Sequence, residues 1–172
     1  EGIEDIEQLG ESSCESSTTN NLMAQASSQV DAGRLMEARA LYELAFRAAK
    51  IDSDRIQCVE GLSNISAKLN TSGRSVEAEA VSTRVVALYD DTSFLNTPTS
   101  HLARSLTQLG RCAQANKSLK VCQRAFQRAV SMYCRAYGHD HVFVATSLGH
   151  LANVLYKKGD FEDADRKSTR LN

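Results

Sequence analysis

Four turn signals recur along this chain at near-equal intervals. They fall near Gly33, Gly73, Asn116-Lys117 and Gly159; with Lys117 standing for the third, the separations are 40, 44 and 42 residues. A period of this size is the mark of stacked helical hairpins. No such hairpin is large enough to bury its own apolar face, so stability must come from packing on its neighbours. The segments between the turns are filled by Ala, Leu, Arg, Lys, Gln and Glu, residues that favour helix. The chain has one Pro and no Trp. The expectation is an all-α α-solenoid of about four antiparallel helix-turn-helix pairs.

The turn residues have a physical rationale. A helix commonly ends on a residue in the left-handed region, which Gly enters without steric cost. In the third turn, AQANKS, the sequence points to Asn116 for that conformation. Helix starts are marked as well. Thr97 precedes Pro98 as a capping hydroxyl, Asp140 is placed to cap a helix from near Val142, and Asp54 to cap one reaching Asn70.

The pairs are expected at about 22–50, 54–90, 97–137 and 141–171, so that residues 22–172 form one array. Residues 1–21 stand apart. They hold six acidic residues and no Lys or Arg. Within them, GESSCESSTTNN at 10–21 has no apolar anchor and reads as a flexible linker. Ile3, Ile6 and Leu9 at 1–9 read as the end of an upstream helix. Ser168 to Asn172 drop the pattern of the fourth pair, and the array reads as a fragment of a longer one.

Most of the pattern that identifies the repeat lies in the fourth pair. Leu148, Leu151, Ala152 and Leu155 share one helical face. Tyr156, Gly159, Asp160, Phe161 and Ala164 follow. The third pair has Leu106, Leu109, Gly110, Leu119, Phe126 and Ala129 in register, with Cys122 where Ala is usual. The second has Leu62, Ile65, Ser66, Leu69, Gly73 and Ala78, with Ser82 at the aromatic position. The first has Leu22, Ala26, Gly33, Leu35, Ala38, Tyr42 and Ala45, with Gln25 and Gln29 at apolar positions. This pattern resembles the tetratricopeptide repeat over residues 22–171. The run YGHDHVFVATSLGHLANVLYKKGDFEDA also looks like the kinesin light chain and nephrocystin-3 type. Gly138, His141, Val144 and Ala145 meet its lead-in, while Val142 stands where that type has Pro.

The resemblance implies a right-handed solenoid that holds other proteins. Peptides would lie in a concave groove lined by the first helices of the pairs, as extended or short helical segments. Asn64 and Asn153 fall at positions where the family often has groove Asn, whose amide both donates and accepts. Asn70, Arg104, Gln108, Arg111, His150, Tyr156 and Lys157 fall on the same expected face. The Arg and Lys among them favour acidic segments. The first pair offers only Met23, Ala24, Ser27, Val30 and Asp31, with no Lys or Arg for a charge clamp.

Other chemistries are set aside. No Gly-x-Ser-x-Gly elbow or Gly-rich phosphate loop occurs, so no catalytic residues, cofactor or enzyme activity are expected. His139, His141 and His150, with Cys134 nearby, match no metal-ligand spacing; His141 reads as a packing residue and no metal is expected. Arg124, Arg128, Arg135, Lys117 and Lys120 read as a solvated outer face rather than a docking patch. No broad basic face exists for nucleic acid, and no apolar run would span a membrane. Cys14, Cys58, Cys112, Cys122 and Cys134, odd in number and without Cys-x-x-Cys, read as free thiols in a reducing compartment, hence a cytoplasmic setting. The competing expectations are self-association through uncapped repeat ends and a regulatory repeat domain of a larger signalling protein or enzyme.

Overall fold

The computed structural model describes the backbone of residues 4–90 and 99–169, and the side chains of 18–90 and 99–159. Among the described residues there are seven helices: α1 Glu4–Asp31, α2 Leu35–Ala48, α3 Asp52–Thr71, α4 Ser75–Asp90, α5 Thr99–Ala115, α6 Leu119–Tyr137 and α7 Val142–Thr169. Each helix packs on the next, and the first helices of neighbouring pairs also touch, α1 with α3 and α3 with α5. This is the layering of an all-α helical-repeat solenoid. No helix among the described residues is long and apolar enough to cross a membrane.

Three turns are built alike. After α1, Gly33 N–H donates to Val30 C=O (3.2 Å) and Arg34 N–H to Gln29 C=O (2.9 Å). After α3, Gly73 donates to Asn70 (3.2 Å) and Arg74 to Leu69 (2.9 Å). After α5, Lys117 donates to Gln114 (3.2 Å) and Ser118 to Ala113 (2.8 Å). These are the paired bonds of a Schellman C-cap, which satisfy carbonyls the helix end leaves open. The central residues have φ of +77°, +79° and +61°. In the third turn it is therefore Lys117, not Asn116, that takes the left-handed conformation. Asn116 is used elsewhere: its Nδ2 donates to Glu79 of α4 (2.6 Å), and Ser118 Oγ donates to the same carboxylate oxygen (2.9 Å). The turn is thereby fastened to the preceding pair.

A register of small residues explains how each pair closes. Gly110 on α5 faces Phe126 on α6; a Cβ on Gly110 would lie 2.7 Å from the ring. The corresponding residues of the second pair, again 16 apart, are Ser66 and Ser82, and their hydroxyls are hydrogen-bonded to each other. Ala38, Ala78 and Cys122, each 12 residues after the small residue of its pair, are fully buried. Tyr42 stands 16 residues after Ala26. It lies against the next pair, where a Cβ on Gly61 would run into its ring.

The buried clusters ignore the pair boundaries. One joins α2, α3 and α4 through Leu62, Ile65, Leu69, Val81 and Val85 and includes Cys112 of α5. A second joins Val86 of α4 to Leu106, Ala129, Tyr133 and Val144 of α5, α6 and α7.

Four expectations are corrected. Residues 10–21 are not a linker, because α1 runs unbroken from Glu4 to Asp31. Ser, Thr and Asn cost a helix only tenths of a kcal/mol each, below about 0.7, and Thr19 is buried in the packed face. Asp54 lies inside α3, whose N-cap is Ile51, and it offers charge to the first turn instead of a cap. The residue preceding α7 is His141, not Asp140, and His141 Nδ1 accepts from Phe143 N–H (3.2 Å). Finally, α7 passes through Gly159 without a turn; a Gly inside a helix costs only about 1 kcal/mol relative to Ala. α7 packs on α6 through Val144, Ser147, Leu151 and Val154, while Leu148 (48%) and Leu155 (45%) are exposed instead of buried. Thr97 and Pro98 lie outside the described residues.

Candidate peptide-binding groove

The first helices α3 and α5 stand side by side and leave a cleft of about 320 Å³ between them. Residues at helical spacing supply its walls. From α3 come Glu60, Asn64 and Ala67; from α5 come Arg104, Gln108 and Arg111. The second helices supply the floor through Tyr89 and Tyr133. Four of the nine residues expected in a groove, Asn64, Arg104, Gln108 and Arg111, are thus gathered in one place.

Charge within the cleft is partly committed. His101 Nδ1 lies 3.2 Å from Glu60 Oε1, tying α5 to α3 at one end. Arg104 and Arg111 are exposed and form none of the ion pairs found among the described residues. Gln108 Nε2 lies 3.4 Å from Cys112 Sγ, which orients its amide. Burial, and then the Glu60 carboxylate, push the Tyr89 hydroxyl up to about 12, against a hydrogen bond with Ser105 and the nearby Arg104. Tyr89 therefore stays neutral.

A second depression, of about 300 Å³, continues the groove toward α7. It shares His101, Arg104 and Tyr133 with the first and adds Ser100, Tyr137 and Phe143. Its aromatic wall is packed: Tyr133 and Phe143 have centroids 5.3 Å apart, and His141 stacks on Tyr137 at 4.4 Å.

The remaining expected residues lie elsewhere. Asn70 sits at the end of α3, its side-chain oxygen buried without a hydrogen-bond partner. His150 stacks on Phe126 at 5.0 Å and is half-buried. Asn153, Tyr156 and Lys157 are exposed on α7 and line neither depression. Conversely, Glu60, His101, Tyr89 and Tyr133 were not singled out from the sequence. Glu60 stands four residues before Asn64 and His101 three before Arg104, so helical spacing alone could have found those two. Tyr89 and Tyr133 arrive from second helices and carry no such signal.

Arg128, expected on a solvated face, is engaged: its guanidinium binds both carboxylate oxygens of Asp90, with Nη1–Oδ2 at 2.8 Å. The four described cysteines are free thiols. Burial holds Cys58 and Cys122 up at about 11, so neither offers a thiolate near neutral pH. Among the described residues, no group of three or more His, Cys, Asp or Glu could hold a metal ion.

The architecture is that of an all-α helical-repeat solenoid. Residues 101–167, which span most of α5 through α7, match the family model for the tetratricopeptide repeat. Repeats of this family in general mediate protein–protein interaction. No curated protein matches the chain.

Proposed function

We propose that this chain is a protein-interaction scaffold, an adaptor whose groove between α3 and α5 holds an extended, acidic segment of a partner protein. The observation that carries this reading is the pair Arg104 and Arg111. They share one wall of the cleft with Gln108, opposite Asn64, while the carboxylate that lines it, Glu60, is occupied by His101. Two guanidiniums can each take a carboxylate bidentately, and Asn64 can pair with peptide backbone. The resemblance of residues 137–164 to kinesin light chain and nephrocystin-3 repeats supports the adaptor part of the reading, and the free thiols are compatible with a cytoplasmic setting.

The test is fluorescence anisotropy of the chain against a library of acidic peptides at two salt concentrations. The expected result is binding that weakens with salt and is lost in Arg104→Glu/Arg111→Glu. It should persist in Lys120→Glu, which alters the exposed side of α6. Equal binding by all three proteins would remove the groove from consideration.

A further inference from the structure

We propose that the open face of α7 is an interface for a second copy of this chain, formed by reciprocal exchange of the segments that follow Gly159. The face carries Leu148, Ala152, Leu155 and Tyr156, all exposed, Tyr156 at 73%. In the second and third pairs the positions matching Leu148, Ala152 and Leu155 are covered. Leu62, Ser66 and Leu69 are buried in the second pair, and Leu106, Gly110 and Ala113 in the third. What covers them is the second helix of the same pair, α4 or α6.

The chain holds a segment in register to cover the α7 face. Counting from the small residue of each pair, Gly33, Gly73 and Lys117 stand 7 residues on, and so does Gly159. Ala38, Ala78 and Cys122 stand 12 residues on, and so does Ala164. The family match also continues past Gly159 to residue 167. Yet Gly159 is helical, and α7 runs on to Thr169. With α7 extended, residues 160–169 cannot return to the face of their own helix. The same segment of a second copy can reach it.

Two α7 helices laid antiparallel, with their Gly159 residues near the two-fold axis, each cover the face of the other. The contact is isologous and closes on itself. It repeats the contacts of a folded-back hairpin, which is why exchange of this kind is a low-cost route to a dimer. Gly159 sets the balance, since it permits both the left-handed turn and the continuous helix.

Size-exclusion chromatography with light scattering on the full chain tests this. The wild type is expected to pass from monomer to dimer with rising concentration. Gly159→Ala favours the continuous helix over the folded-back turn about fivefold at each of two hinges per dimer and is expected to tighten the dimer by about thirtyfold. Ala164→Glu spoils the donated segment and Leu155→Glu the accepting face, so each is expected to be monomeric with unchanged helical circular dichroism. Mixed, they should form a heterodimer, because one intact segment then meets one intact face. A wild type and Gly159→Ala that remain monomers at every concentration would overturn the proposal. So would dimers of either Glu variant alone, or a mixture that forms none.

Discussion

Ser66 and Ser82 are hydrogen-bonded across the α3–α4 pair at the two positions where the next pair sets Gly110 against Phe126. One repeat closes with a hydroxyl pair, the other with a ring against bare backbone. Both lose stability on substitution, the first when an atom is removed and the second when one is added.

Gly110→Ala sets two effects against each other. Alanine gains about 1 kcal/mol of helix propensity over glycine. Its Cβ would stand 2.7 Å from the ring of Phe126, which is fully buried and has nowhere to move. Overpacking of this kind costs about 1–3 kcal/mol. A net loss of stability is expected in urea unfolding. Gly149 on α7 has open space around it, so Gly149→Ala is expected to stabilise by up to about 1 kcal/mol. Equal signs for the two would contradict the packing described.

The serine pair is a small network. Ser66 Oγ donates to Ala78 C=O (3.1 Å), which leaves Ser82 to donate to Ser66, with Cys112 Sγ 3.3 Å from Ser66 and 3.5 Å from Ser82. Ser66→Ala strands a buried hydroxyl and is expected to cost about 1–3 kcal/mol. Ser66→Ala/Ser82→Ala together should cost less than the sum of the single changes. A double-mutant cycle by chemical denaturation reads this directly, and strict additivity would speak against the network.

Lys117 holds a conformation that suits glycine, with φ of +61°. Relief of the Cβ–carbonyl clash is worth about 1–2 kcal/mol, offset by up to about 1 kcal/mol of added freedom in the unfolded chain. Lys117→Gly is expected to raise the thermal midpoint modestly. Lys117→Val, β-branched at the same φ, should lower it.

The buried thiols predict an alkaline limb of instability. Cys58 and Cys122 are held at about 11 in the folded chain, chiefly by burial, against about 8.5 for a free thiol. Between those values the unfolded state loses protons that the folded state keeps. Stability is therefore full below about pH 8.5 and falls as pH rises toward 11. Unfolding by urea across this range should show the decline, and Cys58→Val/Cys122→Ala should flatten it. A decline of equal slope in the double variant would place its origin elsewhere.

The spacing of Gly33, Gly73 and Lys117 located three turns, and Ala38, Ala78 and Cys122 lie buried where their register puts them. What the sequence hid was set by partners distant along the chain. Gly61 looks like a weak point in α3 until the ring of Tyr42 is placed on it. The 10–21 stretch lacks the apolar periodicity that marks a packed helix, though Thr19 is buried on α1. In the groove, the residues legible beforehand were those on first helices at helical spacing. Tyr89 and Tyr133 come from behind, through a gap that only the assembled stack creates. His150 carries the correct number but faces Phe126.

Cys112 belongs to α5 but packs in the cluster of α2, α3 and α4, while Val86 of α4 packs in the cluster of the following helices. A knife passed between the second and third pairs would therefore slice two cores rather than slip between them. The period written in the letters is not the grain along which the body splits. Borrowing a single pair for use in another protein would mean borrowing half of each neighbour as well.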